Sequence, residues 1–379
     1  MSTTATRQGS TTWRVVCAGI LLFATACAAG PAASPSARPP APAAQPAAPA
    51  APPGERGAPA AAAPTAVTER VPLSFAYLIA TAALPFLLAY ERGYFEEFGI
   101  EPHLEVSRAG QDTTAFVASG QLAGAFAGFS AGFLNAVQRG LDIRFVTSSG
   151  KIEPGTHPLA VMVRKPLVDV GEIQSLADLK GRRFAITGGM GSTNAFYLAQ
   201  VLEAANAGYR VNEVELVNLD SPSTPQAFVN GSVDATHISE PRVSYMTTNG
   251  IGVQMGPTVR YSAAGLLVGP TLLRERRDLG ARTVAAIVKG VRTDLQGKYW
   301  ERPEIAAIIT KYLGIEAELV PHVHHFAYDS DLRPIPETFF DLERVFRPIP
   351  SVLQYDGTLT ADRVADMGLV ADAENLLRR

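Results

Sequence analysis

The sequence predicts an α/β protein with two lobes, and three observations support this prediction. Short apolar segments alternate with helical segments after residue 70, a pattern typical of sheets that are covered by helices. The chain has 379 residues, 47% of them hydrophobic and 18% charged, which is enough for about two ordinary domains. The alternation starts afresh near His157 and changes again near Pro257, so we expect the chain to cross twice between two lobes.

The first 27 residues are typical of a secretory signal that ends in a lipidation site. Arg7 and Arg14 precede an apolar run at 15–24, and small residues then lead to Cys27. The run is about half as long as the ~20 residues that span a bilayer. The pattern resembles a bacterial lipobox in which Ala24 replaces the usual leucine. We therefore expect acylation of Cys27 and attachment of the mature chain to the membrane, with simple secretion or an uncleaved anchor as alternatives.

Composition excludes several classes of function. Removal of the signal would also remove Cys17, and the sequence has only 2 cysteines, so no free thiol would remain. That excludes thiol catalysis, disulfides and zinc–cysteine sites. Residues 67–379 carry 29 Lys and Arg against 35 Asp and Glu. This mildly acidic body lacks the basic surface that binds phosphates, so we expect no nucleic-acid partner.

Residues 28–66 are an Ala/Pro tract, with 11 prolines and 18 alanines among 39 residues. Such a segment buries too little apolar surface to offset its ordering entropy, so we predict that it is disordered. Fully extended in polyproline conformation, it would span on the order of 100 Å. We interpret it as a tether between the membrane and the body; a disordered leader without a spacing role is the alternative.

The first lobe is predicted from a strand–helix alternation that begins at residue 71. Strands are expected at 71–77, 100–106, 123–126 and 143–147, and helices at 86–90, 113–119 and 131–139. Pro85 suits the first turn of its helix because the missing N–H costs nothing there. The alternation predicts a mostly parallel sheet, whose ligands bind at the carboxyl ends of the strands.

The second lobe repeats the same order of elements. Strands are expected at 159–164, 183–187, 214–218 and 233–237, with helices at 176–181, 193–206, 224–229 and 241–247. A strand at 263–268 and helices at 279–298, 303–313 and 336–346 follow. We therefore assign 67–157 together with 258–379 to the first lobe and 158–257 to the second.

The glycine-rich turn at 188–192 is the most informative segment. It joins an apolar strand to a helix that begins with Ser192 and Thr193, and free N–H groups at a helix start suit an anionic or polar ligand group. Alternatively, Ser192 only caps the helix. The turn lacks the lysine of a P-loop, and Asn194 stands where a dinucleotide fingerprint requires its third glycine. We therefore expect no nucleotide cofactor.

Histidines and one acidic residue complete the candidates. His322 and His324 share a face of an extended segment and His325 follows, but no Asp, Glu or Cys is spaced to complete a metal site. We interpret them as surface histidines and expect no metal. Glu240 follows the strand at 233–237 and could contact a ligand, or it could stabilise the start of the next helix through the helix dipole.

Several segments together resemble the periplasmic substrate-binding proteins of ABC transporters, in the group that binds sulfonates, nitrate, taurine and thiamine-pyrimidine precursors. The matching segments are 85–99 with its Gly-Tyr-Phe-x-x-x-Gly-Ile, 118–125, 178–181, 189–198 and 229–241. Each is moderately specific, and their order and spacing make the resemblance strong over residues 71–356. The resemblance implies a two-lobed periplasmic-binding-protein fold of type II, with a hinge near His157 and Pro257 and a cleft between the lobes.

The resemblance also implies positions for the ligand-binding residues. The first lobe would contribute Tyr77, Thr81, Arg108, Gln111, Gly128 and Ser130, and the second Gly189, Met190, Gly191, Ser192, Ser221, Ser223 and Glu240. Many relatives have a run of glycines where this chain has Arg108. The arginine could bind a carboxylate or sulfonate in bidentate fashion, or lie exposed on its loop.

The expected function is capture of a small polar or anionic organic molecule by a monomeric, lipid-anchored protein that delivers it to an ABC permease. Binding would be the whole function, without catalysis and without a cofactor. Two alternatives stay open. A soluble enzyme of related fold would need a catalytic lysine or a complete phosphate motif for a pyridoxal or nucleotide cofactor, and a ligand-sensing domain would need an attached output domain.

Overall fold

The computed structural model describes residues 70–107, 113–153, 155–259, 262 and 264–378. The predicted signal, Cys27 and the Ala/Pro tract lie outside the described residues. The strands are β1 (Val71–Leu78), β2 (Ile100–Ser107), β3 (Gly124–Gly128), β4 (Arg144–Phe145), β5 (Leu159–Arg164), β6 (Arg183–Ala185), β7 (Glu215–Val217), β8 (Ala235–Ser239), β9 (Gly252–Gln254) and β10 (Ala264–Val268).

Helices cover the sheets and connect the strands. The α-helices are α1 (Leu84–Glu91), α2 (Tyr94–Glu97), α3 (Thr114–Ala118), α4 (Ala131–Gln138), α5 (Lys165–Asp169), α6 (Thr193–Ala204), α7 (Thr224–Val229), α8 (Arg242–Thr248), α9 (Arg277–Asp294), α10 (Pro303–Leu313), α11 (Pro336–Phe346), α12 (Ala361–Val364) and α13 (Met367–Leu377). Short 3₁₀ turns lie at Thr81–Ala83, Leu176–Leu179, Val211–Glu213, Ser221–Ser223, Tyr299–Glu301 and Val320–His322, and a π-helical turn at Thr271–Glu275.

Two five-stranded sheets form the body, and this confirms the predicted α/β class. The first sheet has the order β2-β1-β3-β10-β4 and the second the order β7-β6-β8-β5-β9. The first therefore draws on strands before residue 146 and after residue 263, and the second on strands between residues 159 and 254. Predicted strand positions agree with the observed ones to within a few residues, because apolar runs bounded by turns define them.

Both sheets are mixed, because one strand in each runs against the others. β10 runs antiparallel to β3 and β4, and β5 runs antiparallel to β8 and β9. These are the first strands after each crossing. The other strands run towards the cleft and end at it. A chain that crosses between the lobes at the cleft enters the new sheet from that side, so its first strand must run away from the cleft.

Polar and backbone contacts join the two crossings to a third segment near the C-terminus. Nδ1 of His157, in the first crossing, lies 2.6 Å from Nε2 of Gln254 and 2.8 Å from Oγ1 of Thr258. Gln254 and Thr258 both lie near the second crossing. The N–H of Lys151 donates to the carbonyl of Ala327 at 2.7 Å, and the reverse bond is 3.0 Å long. Three chain segments therefore lie side by side between the sheets.

Aromatic side chains form much of the core of the first lobe. The rings of Phe129 and Phe133 each pack against Phe145, and all three pack against Phe339 of α11, with centroids 4.4–5.7 Å apart. Helix α11 continues to the second lobe, where Phe346 contacts Phe196 of α6. This helix therefore packs against both lobes.

The C-terminal helix α13 is absent from the sequence prediction. Asp366 caps it, since its carboxylate accepts a hydrogen bond from the N–H of Leu369 at 2.8 Å. An acidic residue before an apolar periodic segment is the signal that could have identified this helix. No helix in the described part of the chain is both long and apolar enough to cross a membrane.

Candidate functional site

A cavity of about 790 Å³ lies between the two sheets, where most of their strands end. The first lobe contributes the segment after β1, the ends of β2 and β3 and the start of α4. The second contributes the loop after β6, the start of α6, the end of β8 and the start of α8. The polar and small residues that line it include Thr81, Ser107, Thr113, Thr114, Gly128, Ser130, Ser149, Thr187, Gly191, Ser192, Thr193, Asn194, Asp220, His237, Ser239 and Arg242.

The wall from the first lobe combines hydroxyl groups with apolar side chains. The hydroxyl oxygens of Thr81 and Ser107 are buried and have no hydrogen-bond partner in the described structure. Ile79 and Val106 are also lining residues and stay 55% and 52% exposed. This wall therefore combines two buried hydroxyls that lack a described partner with an open apolar surface.

His237 provides the most polar buried group in the wall of the second lobe. It lies on the central strand β8, is 6% exposed, and neither ring nitrogen has a hydrogen-bond partner among the residues that the structure describes. Its ring packs against Tyr197 of α6 at 4.4 Å. Burial lowers the pKa of His237 to about 3, so the imidazole is neutral near pH 7. A neutral imidazole offers one donor and one acceptor.

Arg242 is the cation of the described cavity wall. It begins α8, and no described residue forms an ion pair or hydrogen bond with its guanidinium. Burial lowers the pKa of Arg242, and the Asp220 carboxylate, also in the wall, opposes that shift. An arginine keeps its charge under either influence, so the cavity has a fixed positive group.

The glycine-rich turn holds the lobes together as well as lining the cavity. The Ser192 hydroxyl accepts from the N–H of Ala195 and donates to the carbonyl of Gly189, so Ser192 caps α6. The carbonyl of Gly191 accepts from the N–H of Ala131 at 2.9 Å, which joins the turn to the start of α4. The N-terminal ends of α4 and α6 thus meet at the cavity, and both favour negative charge there.

Close approach of the lobes explains the glycine at position 128. A Cβ on Gly128 would lie 2.2 Å from Oγ1 of Thr193 in the other lobe. That hydroxyl donates to the carbonyl of Phe129 at 2.8 Å. Only glycine leaves the room that this interlobe hydrogen bond needs.

The structure brings some of the sequence-predicted site residues to the cavity. Thr81, Gly128, Ser130, Gly191 and Ser192 line it. Ser130 also caps α4, since its hydroxyl accepts from the N–H of Phe133 at 3.2 Å. Arg108 and Gln111 lie outside the described residues.

Other predicted residues lie elsewhere. Six of the predicted residues are not among the described lining residues: Tyr77, Gly189, Met190, Ser221, Ser223 and Glu240. The Tyr77 ring packs edge to face against Tyr312 of α10, with the ring centroids 6.4 Å apart. Gly189 and Met190 form the turn behind Gly191, and Ser221 and Ser223 belong to a 3₁₀ turn beside Asp220.

Glu240 is buried, and protein donors occupy its carboxylate. Its oxygens accept from the N–H and hydroxyl of Ser244 at 3.0 and 2.7 Å, which is the helix-start role considered from the sequence. One oxygen also accepts from the N–H of His324 at 3.2 Å. Glu240 therefore joins the second lobe to the C-terminal segment, and we leave it out of the proposed ligand site.

Sequence reasoning missed His237 and Arg242, two of the three ionisable side chains among the described lining residues. His237 is the last residue of the predicted strand at 233–237, and Arg242 directly follows the Glu240–Pro241 pair. The signal was available, since polar side chains at the carboxyl end of a central strand point to a ligand site. The sequence does not indicate which face of β8 borders the cavity.

One of the three C-terminal histidines, His325, is not at the surface as expected. His325 is buried and stacks on Trp300 at 4.6 Å, and its Nε2 lies 2.7 Å from the carbonyl of Val320. His322 is exposed and His324 is half-buried. Within the described ranges, no group of three or more His, Cys, Asp or Glu side chains is arranged to hold a metal.

Solved structures similar to this chain include binding proteins and an enzyme. The periplasmic nitrate-binding protein NrtA from Synechocystis PCC 6803 superimposes with a TM-score of 0.63 at 12% identity, covering 82% of this chain and 89% of its own. The alkanesulfonate-binding protein SsuA from Xanthomonas axonopodis pv. citri, bound to MOPS, gives 0.58 at 17% identity over 78% and 99%. The desulfurization enzyme DSZB gives 0.54 at 19% identity over 82% and 100%. At these identities the likeness establishes the fold.

Comparison with curated protein sequences finds no match. The family profile described as NMT1/THI5 like matches residues 80–292, which is more than half of the 379 residues. The match begins in the turn after β1 and ends inside α9, so it spans the cavity walls of both lobes. The chain belongs to the NMT1/THI5-like family.

Proposed function

We propose that this protein binds one small polar or anionic organic molecule in the cavity between its lobes. One observation carries the proposal: among the described residues, Arg242 has no partner, and four buried polar atoms on Thr81, Ser107 and His237 in the same cavity wall lack hydrogen bonds. An unsatisfied buried polar group costs about 1–3 kcal/mol, so such groups gather where a ligand satisfies them. The fixed cation and the two helix N-termini favour negative charge on that ligand.

Transport is the purpose that we infer for this binding. Similar structures include proteins named for binding nitrate and alkanesulfonates, and two of those names contain the word periplasmic. The predicted signal and Cys27 support an extracytoplasmic, lipid-anchored position. From there a monomeric protein would deliver its ligand to the membrane subunits of an ABC permease.

An enzymatic function has less support from the residues of this chain. One similar structure is named a desulfurization enzyme. In this chain both cysteines, Cys17 and Cys27, precede residue 28, so the body has no thiol nucleophile. The described lining residues also include no lysine for a pyridoxal cofactor. We therefore infer that no bond is made or broken in the cavity.

Calorimetric titration of the purified protein tests the binding function. Nitrate, short alkanesulfonates, pyrimidines and aromatic acids would be titrated separately. We expect one class to bind with a stoichiometry of one, and mass spectrometry after overnight incubation should recover that compound unchanged. Recovery of a converted product would refute a pure binding function, and failure of every class to bind would refute the ligand type.

Fractionation of a bacterium that expresses the full chain tests the anchor. The native protein should partition with membranes, and Cys27→Ser should appear in the soluble extracytoplasmic fraction. Cys17→Ser is the matched control, because that residue lies within the predicted signal and should leave the partition unchanged. Equal partition of the native and Cys27→Ser forms would refute acylation at Cys27.

A further inference from the structure

We propose that the ligand is an organic monoanion with three distinct parts: an anionic group bound by Arg242, an uncharged hydrogen-bonding group bound by His237, and an apolar body that faces Ile79 and Val106. This inference rests on the proposed binding function and specifies its ligand. It assigns to His237 and Arg242 separate roles in specificity.

Ionisable side chains are distributed unevenly over the cavity. Among the described lining residues, Asp220, His237 and Arg242 all belong to the second lobe. The described lining of the first lobe has no charged side chain and presents hydroxyls and apolar groups instead. A ligand with its polar groups at one end and its carbon skeleton at the other matches this arrangement.

His237 requires an uncharged partner. A buried imidazole that stays neutral gives no net charge for an anion to neutralise, yet both of its nitrogens lack a hydrogen bond within the described ranges. A hydroxyl, amide or ring N–H of the ligand can donate to one nitrogen or accept from the other. The site should discriminate strongly in favour of a ligand with such a group, because a ligand without it leaves the imidazole without a hydrogen bond.

Arg242 requires the single anionic group. Its guanidinium has no partner among the described residues, and its planar fork suits a carboxylate or sulfonate. Asp220 in the same wall repels a second negative charge on the ligand. A monoanion therefore suits this part of the cavity better than a dianion.

The apolar part follows from the first lobe. Ile79 and Val106 leave more than half of their surface exposed and both line the cavity. They lie near each other at one edge of the sheet, because Val106 is in β2 and Ile79 directly follows Leu78, the residue of β1 that pairs with Ser107. An alkyl or aryl group of the ligand would cover this surface and gain the free energy of its burial.

Small aromatic probes separate the three parts. The probes are 3- and 4-hydroxybenzoate, benzoate without the uncharged group, and the two hydroxybenzamides without the charge. We expect the tighter-binding hydroxybenzoate to bind the native protein about tenfold more tightly than benzoate. It should also bind at least about tenfold more tightly than the corresponding hydroxybenzamide. This comparison needs no variant, so it does not depend on the folding of one.

Two variants then assign each preference to its residue. His237→Phe should abolish the preference for hydroxybenzoate over benzoate, and Arg242→Gln should abolish the preference for the acid over the amide. His237→Asn keeps a donor and an acceptor and should restore part of the first preference. His103→Gln and Lys180→Gln change exposed residues outside the cavity and should bind like the native protein.

A stability measurement separates a ligand contact from a structural role. If His237 serves the ligand, His237→Phe should raise the melting temperature of the ligand-free protein, because two unsatisfied buried atoms disappear. A lower melting temperature together with unchanged probe preferences would overturn the assignment of His237.

The remaining outcomes distinguish this inference from the proposed function. If none of the aromatic probes binds while nitrate or a short alkanesulfonate does, the three-part ligand is refuted and the binding function stands. If no compound of any class binds, both are refuted. Preferences that persist in both variants would place the ligand on other residues.

Discussion

The imidazole of His237 is uncharged in the folded protein, and this gives the ligand-free protein a specific dependence on pH. Its pKa moves from 6.5 to about 3 through burial. In the unfolded chain the ring takes up a proton near pH 6.5, whereas in the folded chain it stays neutral to about pH 3. The unfolded state therefore binds more protons in this window, and stability falls as the pH falls from 6.5 towards 3.

We predict that the native protein loses about 2 kcal/mol of unfolding free energy through His237 between pH 7 and pH 5. Denaturant unfolding at the two pH values measures the loss in the native protein and in His237→Asn. The variant should show a smaller loss by about that amount. His325, whose pKa burial also lowers, contributes to both proteins and cancels in the comparison. An equal loss in both proteins would mean that the ring of His237 is not held neutral.

Residue-scale chemistry was predictable in part. Ser192 was expected either to cap its helix or to contact a ligand, and it does the first while it also lines the cavity. His237 was out of reach because alternation along β8 does not reveal which face borders empty space. The charge of Arg242 was visible, but its lack of a partner depends on side chains that lie far away in sequence.

At the scale of elements, the turn after β6 and the start of α6 bring the lobes together. The Thr193 hydroxyl donates to the carbonyl of Phe129 across the lobes, and Gly191 accepts from Ala131 nearby. A side chain on Gly191 would start 3.1 Å from Cβ of Ala131 and would press on the other lobe. The turn therefore couples the arrangement of the lobes to the cavity that it lines.

We predict that Thr193→Val weakens ligand binding about two- to tenfold, because the variant keeps the shape but loses a hydrogen bond of about 0.5–1.5 kcal/mol between the lobes. Calorimetry with the best compound from the titrations measures the effect. Thr247→Val is the matched control, since it removes a hydroxyl bond to Val243 within α8. Equal affinities of the Thr193→Val variant and the native protein would show that this bond does not support the bound arrangement.

Element prediction succeeded where local rules decide and failed where topology decides. Strand and helix positions such as β5, α7, α10 and α11 follow from apolar periodicity and from proline at the helix start. The reversed direction of β5 and β10 follows from where the chain crosses, which periodicity along the sequence does not contain.

The whole molecule depends on a C-terminal segment that was expected to belong to the first lobe alone. Helix α11 carries Phe339 into the aromatic core of the first lobe and Phe346 onto Phe196 of the second. Glu240 accepts from His324 just before it. Long-range contacts of this kind depend on tertiary packing. The sequence therefore predicted the position of α11 but not its contacts with both lobes.

We predict that Phe346→Ala destabilises the protein by about 3–5 kcal/mol, because the ring is fully buried between the lobes. Arg344 lies on the same helix as Phe346, and Arg344→Ala removes its ion pair to Glu203 of α6, but the two side chains are 54% and 60% exposed. That change should therefore cost less than about 1 kcal/mol. Denaturant unfolding measures both, and comparable losses would mean that the helix is held by its surface charges instead of by the buried ring.

We propose that one small polar molecule binds between the lobes at Arg242 and His237. Native mass spectrometry of the protein after incubation with the small-molecule fraction of a bacterial culture tests it most directly. We predict a single bound molecule per chain for the native protein and for Lys180→Gln, and little or none for a variant that combines Arg242→Gln with His237→Phe. The same molecule at the same occupancy in the double variant, or no bound molecule in the native protein, would contradict the claim.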